Sequence, residues 1–323
     1  MQVYNDFPLS EVLWYKVGGK AKYFIPATNK EDVLRALDFT EKNHPERIFI
    51  CGLGSNLIFS DDYFNGVVIQ IASEKYDTRG VSIKTDGVIE GFAGTILDDL
   101  ITTSFKNNLI GMEWAGGLPG TVGAGVRGNV GAFGGEIKDS FINAEVLEIK
   151  EKGFSLSKIN KSNFNFSYRN SVIKEQKNLI VISSQFQLHP TAQQGLQNAQ
   201  EIYQSRISYR KANHPVEYPN CGSVFKNVHD KSQIEKIYTV WPEVRDLVET
   251  KWHGKASMGY LSKRLGFAGY RVGGMEVSTK HANFIVNLGN AKANDTLTII
   301  KHIQEKVSDT FGFIPEVEVE IVR

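Results

Sequence analysis

Two periodicities alternate along the chain. In TNKEDVLRALDFTEKN (28–43), Val33, Ala36 and Leu37 fall on one helical face, behind Thr28 or Asn29 as a cap and acids in the first turn, which predicts a short amphipathic helix. The apolar run Ile48–Cys51 then breaks into Gly52-Leu53-Gly54-Ser55-Asn56, the pattern of a buried strand entering a glycine turn. GVVIQIA (66–72), VIEGFAG (88–94), AEVLEI (144–149) and LIVISSQFQL (179–188) predict further strands, and TILDDLITTSFKNN (95–108) predicts a helix between the second and third of them. After His189-Pro190 the texture becomes polar, and AQQGLQNAQEIYQSRISYRKA (192–212) reads as a long helix leading into another domain. A last helix, NDTLTIIKHIQEKVSDTFG (294–312), places Ile300, Ile303, Val307 and Phe311 at steps of three, four and four, and EVEVEIV (316–322) predicts a closing strand. The fold class is α+β, a mixed α/β chain with no internal repeat or low-complexity linker.

Composition narrows the partners. With 41% hydrophobic and 23% charged residues over 323 positions, the chain is long enough for two or three domains. Lys plus Arg (37) balance Asp plus Glu (36), so no global field recruits nucleic acid or a membrane surface. Cys51 and Cys221 stand far apart without metal-ligand spacing, the seven histidines form no HxxxH pair, and no run approaches the roughly 18 apolar residues of a membrane span. The expectation is a cytoplasmic protein without a disulfide framework, a metal site or membrane insertion, acting on a small ligand.

Ten of the thirty glycines fall within GMEWAGGLPGTVGAGVRGNVGAFGGE (111–136). Backbone N–H groups freed of side chains can converge on an anion, so this segment and Gly52–Asn56 together suggest a diphosphate held by main chain. Neither is a Rossmann fingerprint or a P-loop, because no GxGxxG opens a helix in a βαβ unit and no Gly-Lys-Ser/Thr follows. A dinucleotide outside both classes suggests FAD. The residues expected to hold it are Gly52, Gly54, Ser55, Asn56, Pro119, Gly120, Thr121, Gly123, Asn129 and Gly131.

Six blocks in order, VGGKA (17–21), GLGSN (52–56), EWAGGLPGTVGAGVRGNVGAFGGE (113–136), SYRNS (167–171), NCGSVFKN (220–227) and STKHANFIVN (278–287), resemble the UDP-N-acetylenolpyruvoylglucosamine reductase family. The resemblance covers nearly the whole chain. It implies a two-part FAD-binding fold of the vanillyl-alcohol-oxidase type plus a substrate-binding α+β domain. The expected boundaries are 1–65 with the terminal strand at about 316–323, then 66–195, then 196–315. It further implies a monomer in peptidoglycan precursor synthesis, and so in cell-wall biogenesis, cell shape, the cell cycle and cell division. NADPH would be the co-substrate, non-covalent FAD the cofactor and a nucleotide sugar the substrate.

That chemistry can be set against residue types. Hydride addition to an enolpyruvyl methylene leaves negative charge on the adjacent carbon and its carboxylate, which calls for fixed positive charge, a hydrogen-bonding acid and a proton donor. By the resemblance, Arg169 stabilises the enolate and Ser223 protonates it. Glu318 takes the family's terminal carboxyl position, aligned from Phe311-Gly312; Glu316, in a PEV tripeptide, is the alternative. Glu316, Glu318 and Glu320 alternate with Val317, Val319 and Ile321, so all three acids are expected to share one strand face. Tyr168, Lys211 and Asn227 are the expected substrate contacts, with Arg210 a further candidate. His281 and Asn283 line the cleft without an assigned role.

The chain departs from the family at Leu13-Trp14-Tyr15, where threonine is usual, at Gly128-Asn129-Val130-Gly131 and at Asn227-Val228. The stretch after Ser171 is too short for the insertion that carries a tyrosine lid in one branch. Two other classes stay in view. Another FAD oxidase or dehydrogenase of the same fold would not need Arg169, Ser223 and a terminal Glu together, and a non-catalytic nucleotide-sugar module would not need two glycine loops.

Overall fold

The computed structural model describes Met1–Arg323, and the chain passes repeatedly between two compact units. The first unit comprises Met1–Phe7, Ala21–Leu53 and Phe64–Arg210; the second comprises Pro8–Lys20, Gly54–Tyr63 and Lys211–Arg323.

In the first unit, strands Tyr4–Pro8, Lys20–Ala27, Phe64–Ile71 and Ile48–Cys51 form one sheet in that order, the last three parallel. Helix Lys30–Asn43 makes the crossover from Lys20–Ala27 to Ile48–Cys51, the two strands that flank Phe64–Ile71. Its cap is Asn29, whose side-chain oxygen accepts the Asp32 N–H at 2.9 Å, and it buries Val33, Ala36, Leu37 and Thr40. A second, antiparallel sheet runs in the order Phe154–Asn160, Phe141–Ile149, Leu179–Gln187, Val88–Phe92, Val81–Ile83. Ala144, Val146, Ile182 and Phe186 enter the core with helices Leu97–Lys106 and Val122–Arg127. The alternating positions are polar. Asn143 donates to Gln185 at 3.0 Å and Gln185 to Glu90 at 2.6 Å, and Lys30 bridges to Glu145. Helix Gln193–Asn213 packs Leu196, Ala199 and Tyr203 on this unit's core.

The second unit has its own core around helix Ala293–Phe311, which buries Ile299, Ile300, Ile303, Val307 and Phe311 and ends at Gly312 in the left-handed region (φ 72°). Helices Lys231–Val240 and Met258–Arg264 and a three-stranded sheet, Arg271–Val272, Met275–Val277 and Ile285–Asn287, complete it. Tyr15, one of the family departures, is fully buried here with its hydroxyl 2.9 Å from Thr296 Oγ1.

The single closing strand expected over 316–322 is divided. Val317 bridges Phe225 in antiparallel sense, whereas Glu320–Val322 pairs in parallel with Leu57–Phe59. Two partners of opposite polarity force a bend at Val319, so Glu316, Glu318 and Glu320 do not lie on one continuous strand.

Candidate active site

The glycine segment is built for close approach. A Cβ on Gly123 would lie 2.7 Å from that of Ala93, and one on Gly52 would lie 2.6 Å from Thr121 Oγ1. Bare backbone lets these chains touch: Gly123 N–H donates to Ala93 O, Val122 N–H to Thr95 O and Leu97 N–H to Gly120 O, at 2.8–3.0 Å. Thr121 caps helix Val122–Arg127 by accepting the Ala124 N–H at 3.4 Å. Upstream, Asp98 Oδ1 receives the Gly117 N–H at 3.1 Å and the Tyr203 hydroxyl at 3.0 Å, while Arg210 Nε donates to Gly116 O at 3.0 Å. Burial pushes the Asp98 carboxyl above its ordinary value, against these bonds and the Arg210 charge, which pull it down. A phosphate-bearing flavin fits such a cradle: side chains are absent where chains converge, and the buried Thr95 Oγ1 has no hydrogen-bond partner in the protein.

Of the expected flavin residues, Gly52, Pro119, Gly120, Thr121, Gly123, Asn129 and Gly131 belong to the first unit and Gly54, Ser55 and Asn56 to the second. Asn56 is tied to the terminal segment, donating to Glu318 O at 3.4 Å and accepting the Glu320 N–H at 3.0 Å. Asn129 is fully buried at φ 41°. Its amide donates to Glu136 Oε2 at 2.9 Å and Ser167 O at 3.0 Å, and its oxygen accepts the Lys138 N–H at 3.1 Å. Most of that side chain's capacity therefore goes to scaffolding.

Asn129 leads to Arg169. Ser167 and Asn170 exchange backbone hydrogen bonds of 3.2 Å across a two-residue turn, with Arg169 in the left-handed region at φ 57°. Its guanidinium donates to Gly131 O at 2.9 Å and stands 5.2 Å from the Tyr168 ring centroid, and Lys174 Nζ donates to its carbonyl. Close by is Glu136. Burial raises its carboxyl pKa, but the bonds from Lys138 and Asn129 and the charges of Lys138 and Arg169 outweigh that and hold it below the usual range. Nothing in the sequence pattern singles out Glu136, although it closes the glycine block that carries the family resemblance.

Within the second unit the structure brings Ser223 and Glu318 to one place. Glu318 N–H donates to Val224 O at 2.8 Å and Lys226 N–H to Glu316 O at 2.9 Å, so the terminal segment runs beside the residues that follow Ser223. Glu316 is exposed and ion-paired with Lys226; Glu318 is half-buried. Before Ser223, Gly222 sits at φ 78° and donates its N–H to Asn220 Oδ1 at 3.0 Å. Asn227 Oδ1 accepts the Met258 N–H at 3.2 Å, the first of helix Met258–Arg264, whose cap is Ser257, and Lys211 is exposed. The His281 ring packs against His214 and Phe284, its Nδ1 accepts the Asn283 N–H at 3.3 Å, and burial lowers its pKa. A cleft of about 910 Å³ along the polar face of the antiparallel sheet, between Asn29, Arg79, Glu90 and Glu145, includes none of the expected site residues. No group of His, Cys, Asp or Glu is placed to hold a metal, and no helix is long and apolar enough to cross a membrane.

Residues 21–152 match an FAD binding domain, and residues 214–322 match the C-terminal domain of UDP-N-acetylenolpyruvoylglucosamine reductase. The reductase of Latilactobacillus sakei is 34% identical over 323 residues, 100% of this chain and 94% of its own. That of Caldicellulosiruptor bescii is 33% identical over 322 residues, 98% of this chain and 90% of its own. The crystal structure of the Thermus caldophilus reductase superposes with a TM-score of 0.72 at 25% identity, covering 100% of this chain and 98% of its own. These matches support the expected α+β class and the two-part flavin-binding fold of the vanillyl-alcohol-oxidase type with a C-terminal domain. At one third identity over nearly its full length, the chain belongs to the UDP-N-acetylenolpyruvoylglucosamine reductase family of FAD-dependent oxidoreductases.

Proposed function

We propose that this protein reduces UDP-N-acetylglucosamine enolpyruvate to UDP-N-acetylmuramate with NADPH, a step of peptidoglycan precursor synthesis, as a cytoplasmic monomer that needs neither metal nor nucleic acid. The observation that carries the reading is the backbone ladder that holds the Glu318 segment against the residues following Ser223 in a chain of this family. Gly52, Gly54, Ser55, Asn56, Pro119, Gly120, Thr121, Gly123 and Gly131 would hold FAD non-covalently through main chain, with Asn129 bracing their loop. Bound FAD would supply the hydride-transfer chemistry between NADPH and the enolpyruvyl substrate.

The remaining work falls to this chain's side chains. Arg169, a planar guanidinium carried on a tight turn, binds the substrate carboxylate and offsets the charge that develops there. Glu318, on this reading, contributes the hydrogen-bonding carboxyl beside that carboxylate. The Ser223 hydroxyl delivers the proton to the enolate carbon; a serine is a weak acid, so it serves only against a strongly basic carbon and only when accurately placed. Tyr168, Lys211 and Asn227 contact the nucleotide sugar. Glu318 is favoured over Glu316 because it is half-buried and bonded through its own N–H beside Ser223, while Glu316 is exposed and engaged by Lys226.

The test is an anaerobic visible spectrum of the purified protein through successive additions of NADPH and UDP-N-acetylglucosamine enolpyruvate. The expected outcome is bleaching of the flavin band by NADPH and its return on adding the nucleotide sugar without oxygen. Return only on admitting air would make this an FAD oxidase with another acceptor, and absence of a flavin band would remove the reading of the glycine loops.

A further inference from the structure

We infer that Asn283 is a positioning residue for proton delivery: its side-chain amide takes the place of a strand and fixes the segment that follows Ser223 and registers Glu318 against it. The inference rests on the reductase reading. Asn283 is buried, and its Oδ1 accepts the Phe225 N–H at 3.0 Å while its Nδ2 donates to Phe225 O at 2.8 Å. Its own carbonyl accepts the Val224 N–H at 2.8 Å. On the opposite edge of the same segment lie the two bonds to Glu316 and Glu318. Residues 224–226 are thus the middle of a three-part ladder, with one edge made by a single residue.

The chemistry requires a primary amide of this length. Only asparagine presents a donor and an acceptor in one plane, at the spacing that matches both backbone groups of one residue. Leucine offers neither, an ionised aspartate loses the donor, and glutamine carries the amide one methylene too far. Without it the N–H and C=O of Phe225, itself buried, lose their partners, and a buried unpaired group draws the backbone toward another arrangement. Ser223 lies between two fixed points, the Asn220–Gly222 turn and Val224, so release of the second frees the hydroxyl. A misplacement of about 1 Å is enough for a loss of roughly 10²-fold.

The experiment follows flavin absorbance by anaerobic stopped flow in the full-length holoenzyme, with NADPH reduction and reoxidation by UDP-N-acetylglucosamine enolpyruvate as separate steps. In Asn283→Leu, flavin content and the NADPH step should stay within about twofold of wild type while reoxidation slows roughly 10²-fold, with half-saturation by the nucleotide sugar little changed. Introduced into Ser223→Ala, the same change should cost less than about threefold more, because the donor it positions is already gone. The second variant, Asn283→Asp, adds a readout that a general loss of stability would not give. A protonated carboxyl restores one donor and one acceptor, and burial raises its pKa, so reoxidation should recover at least about tenfold between pH 8.5 and pH 6.5 relative to wild type. His281 is the titratable group in contact with Asn283, and Lys226, Glu316 and Glu318 face the same segment; the wild-type profile, which carries all four, corrects for them. Equal losses in both half-reactions, full additivity with Ser223→Ala, or an Asn283→Asp profile parallel to wild type would overturn the inference. Wild-type enzyme that the nucleotide sugar does not reoxidise removes the reductase reading itself, and this inference with it.

Discussion

Arg169 bears one cost, a left-handed backbone (φ 57°), and its guanidinium is held in place by Gly131 O and the Tyr168 ring. Strain at the backbone with the head group fixed is the arrangement expected of a side chain that must point one way. Lysine keeps the charge but not the planar fork, so Arg169→Lys should slow anaerobic reoxidation by the nucleotide sugar roughly 10- to 100-fold and leave reduction by NADPH near wild type. Ser223→Ala removes a general acid outright, and a 10²- to 10⁴-fold slower reoxidation is expected, again with reduction spared. The terminal carboxylates separate by the same assay. Glu316→Gln forfeits an exposed ion pair worth about 0–1 kcal/mol and should change the rate less than about fivefold. Glu318→Gln should slow it at least as much as Arg169→Lys, and equal effects from the two glutamates would undo the assignment.

Among elements, the glycine loop makes the sharpest demand on the chain. Gly123→Ala would place a methyl 2.7 Å from the Ala93 Cβ and 3.2 Å from its carbonyl, overpacking of about 1–3 kcal/mol that parts segment 93–97 from 120–123. Equilibrium dialysis should show FAD affinity at least tenfold weaker, whereas Gly128→Ala, whose nearest neighbour would be 3.5 Å away, should bind FAD normally. This crowding also marks where the sequence was legible. Helices Lys30–Asn43 and Ala293–Phe311 announce themselves because one apolar face repeats and a cap or glycine ends each, and a run of glycines signals close chains whatever lies between them. The division of the terminal strand was not legible, since an alternating EVEVEIV serves a parallel and an antiparallel partner equally. Nor were the bonds of Asn283 to Phe225 and of Asn129 to Glu136 and Ser167. A side chain that replaces a strand or braces a turn leaves no period to read, and its partner can stand 58 positions away.

At the scale of the whole molecule, two units with separate cores need not respond alike to pH, and a half-buried titratable group in each contributes an opposite slope. In the first unit, burial raises the Asp98 pKa. The fold then holds a proton that the unfolded chain releases, and stability declines as pH rises from the ordinary aspartate value of about 4 toward the raised one. In the second, burial lowers the His281 pKa. The unfolded chain takes up a proton that the fold refuses, so stability is intact above the ordinary histidine value of about 6.5 and is lost as pH falls through it. A single melting temperature would blur the two, because a chain of several cores need not unfold in one step. Hydrogen exchange corrected for intrinsic rates separates them. Peptides from Met275–Asn287 should lose protection as pH falls from 7 to 5, while those from Leu97–Lys106 and Gln193–Asn213 hold or gain it. His281→Gln should flatten the first trend and Asp98→Asn the second, each without touching the other. A fall in both units that neither substitution alters would mean that exposed carboxylates, and not these two half-buried groups, govern the acid response of the molecule.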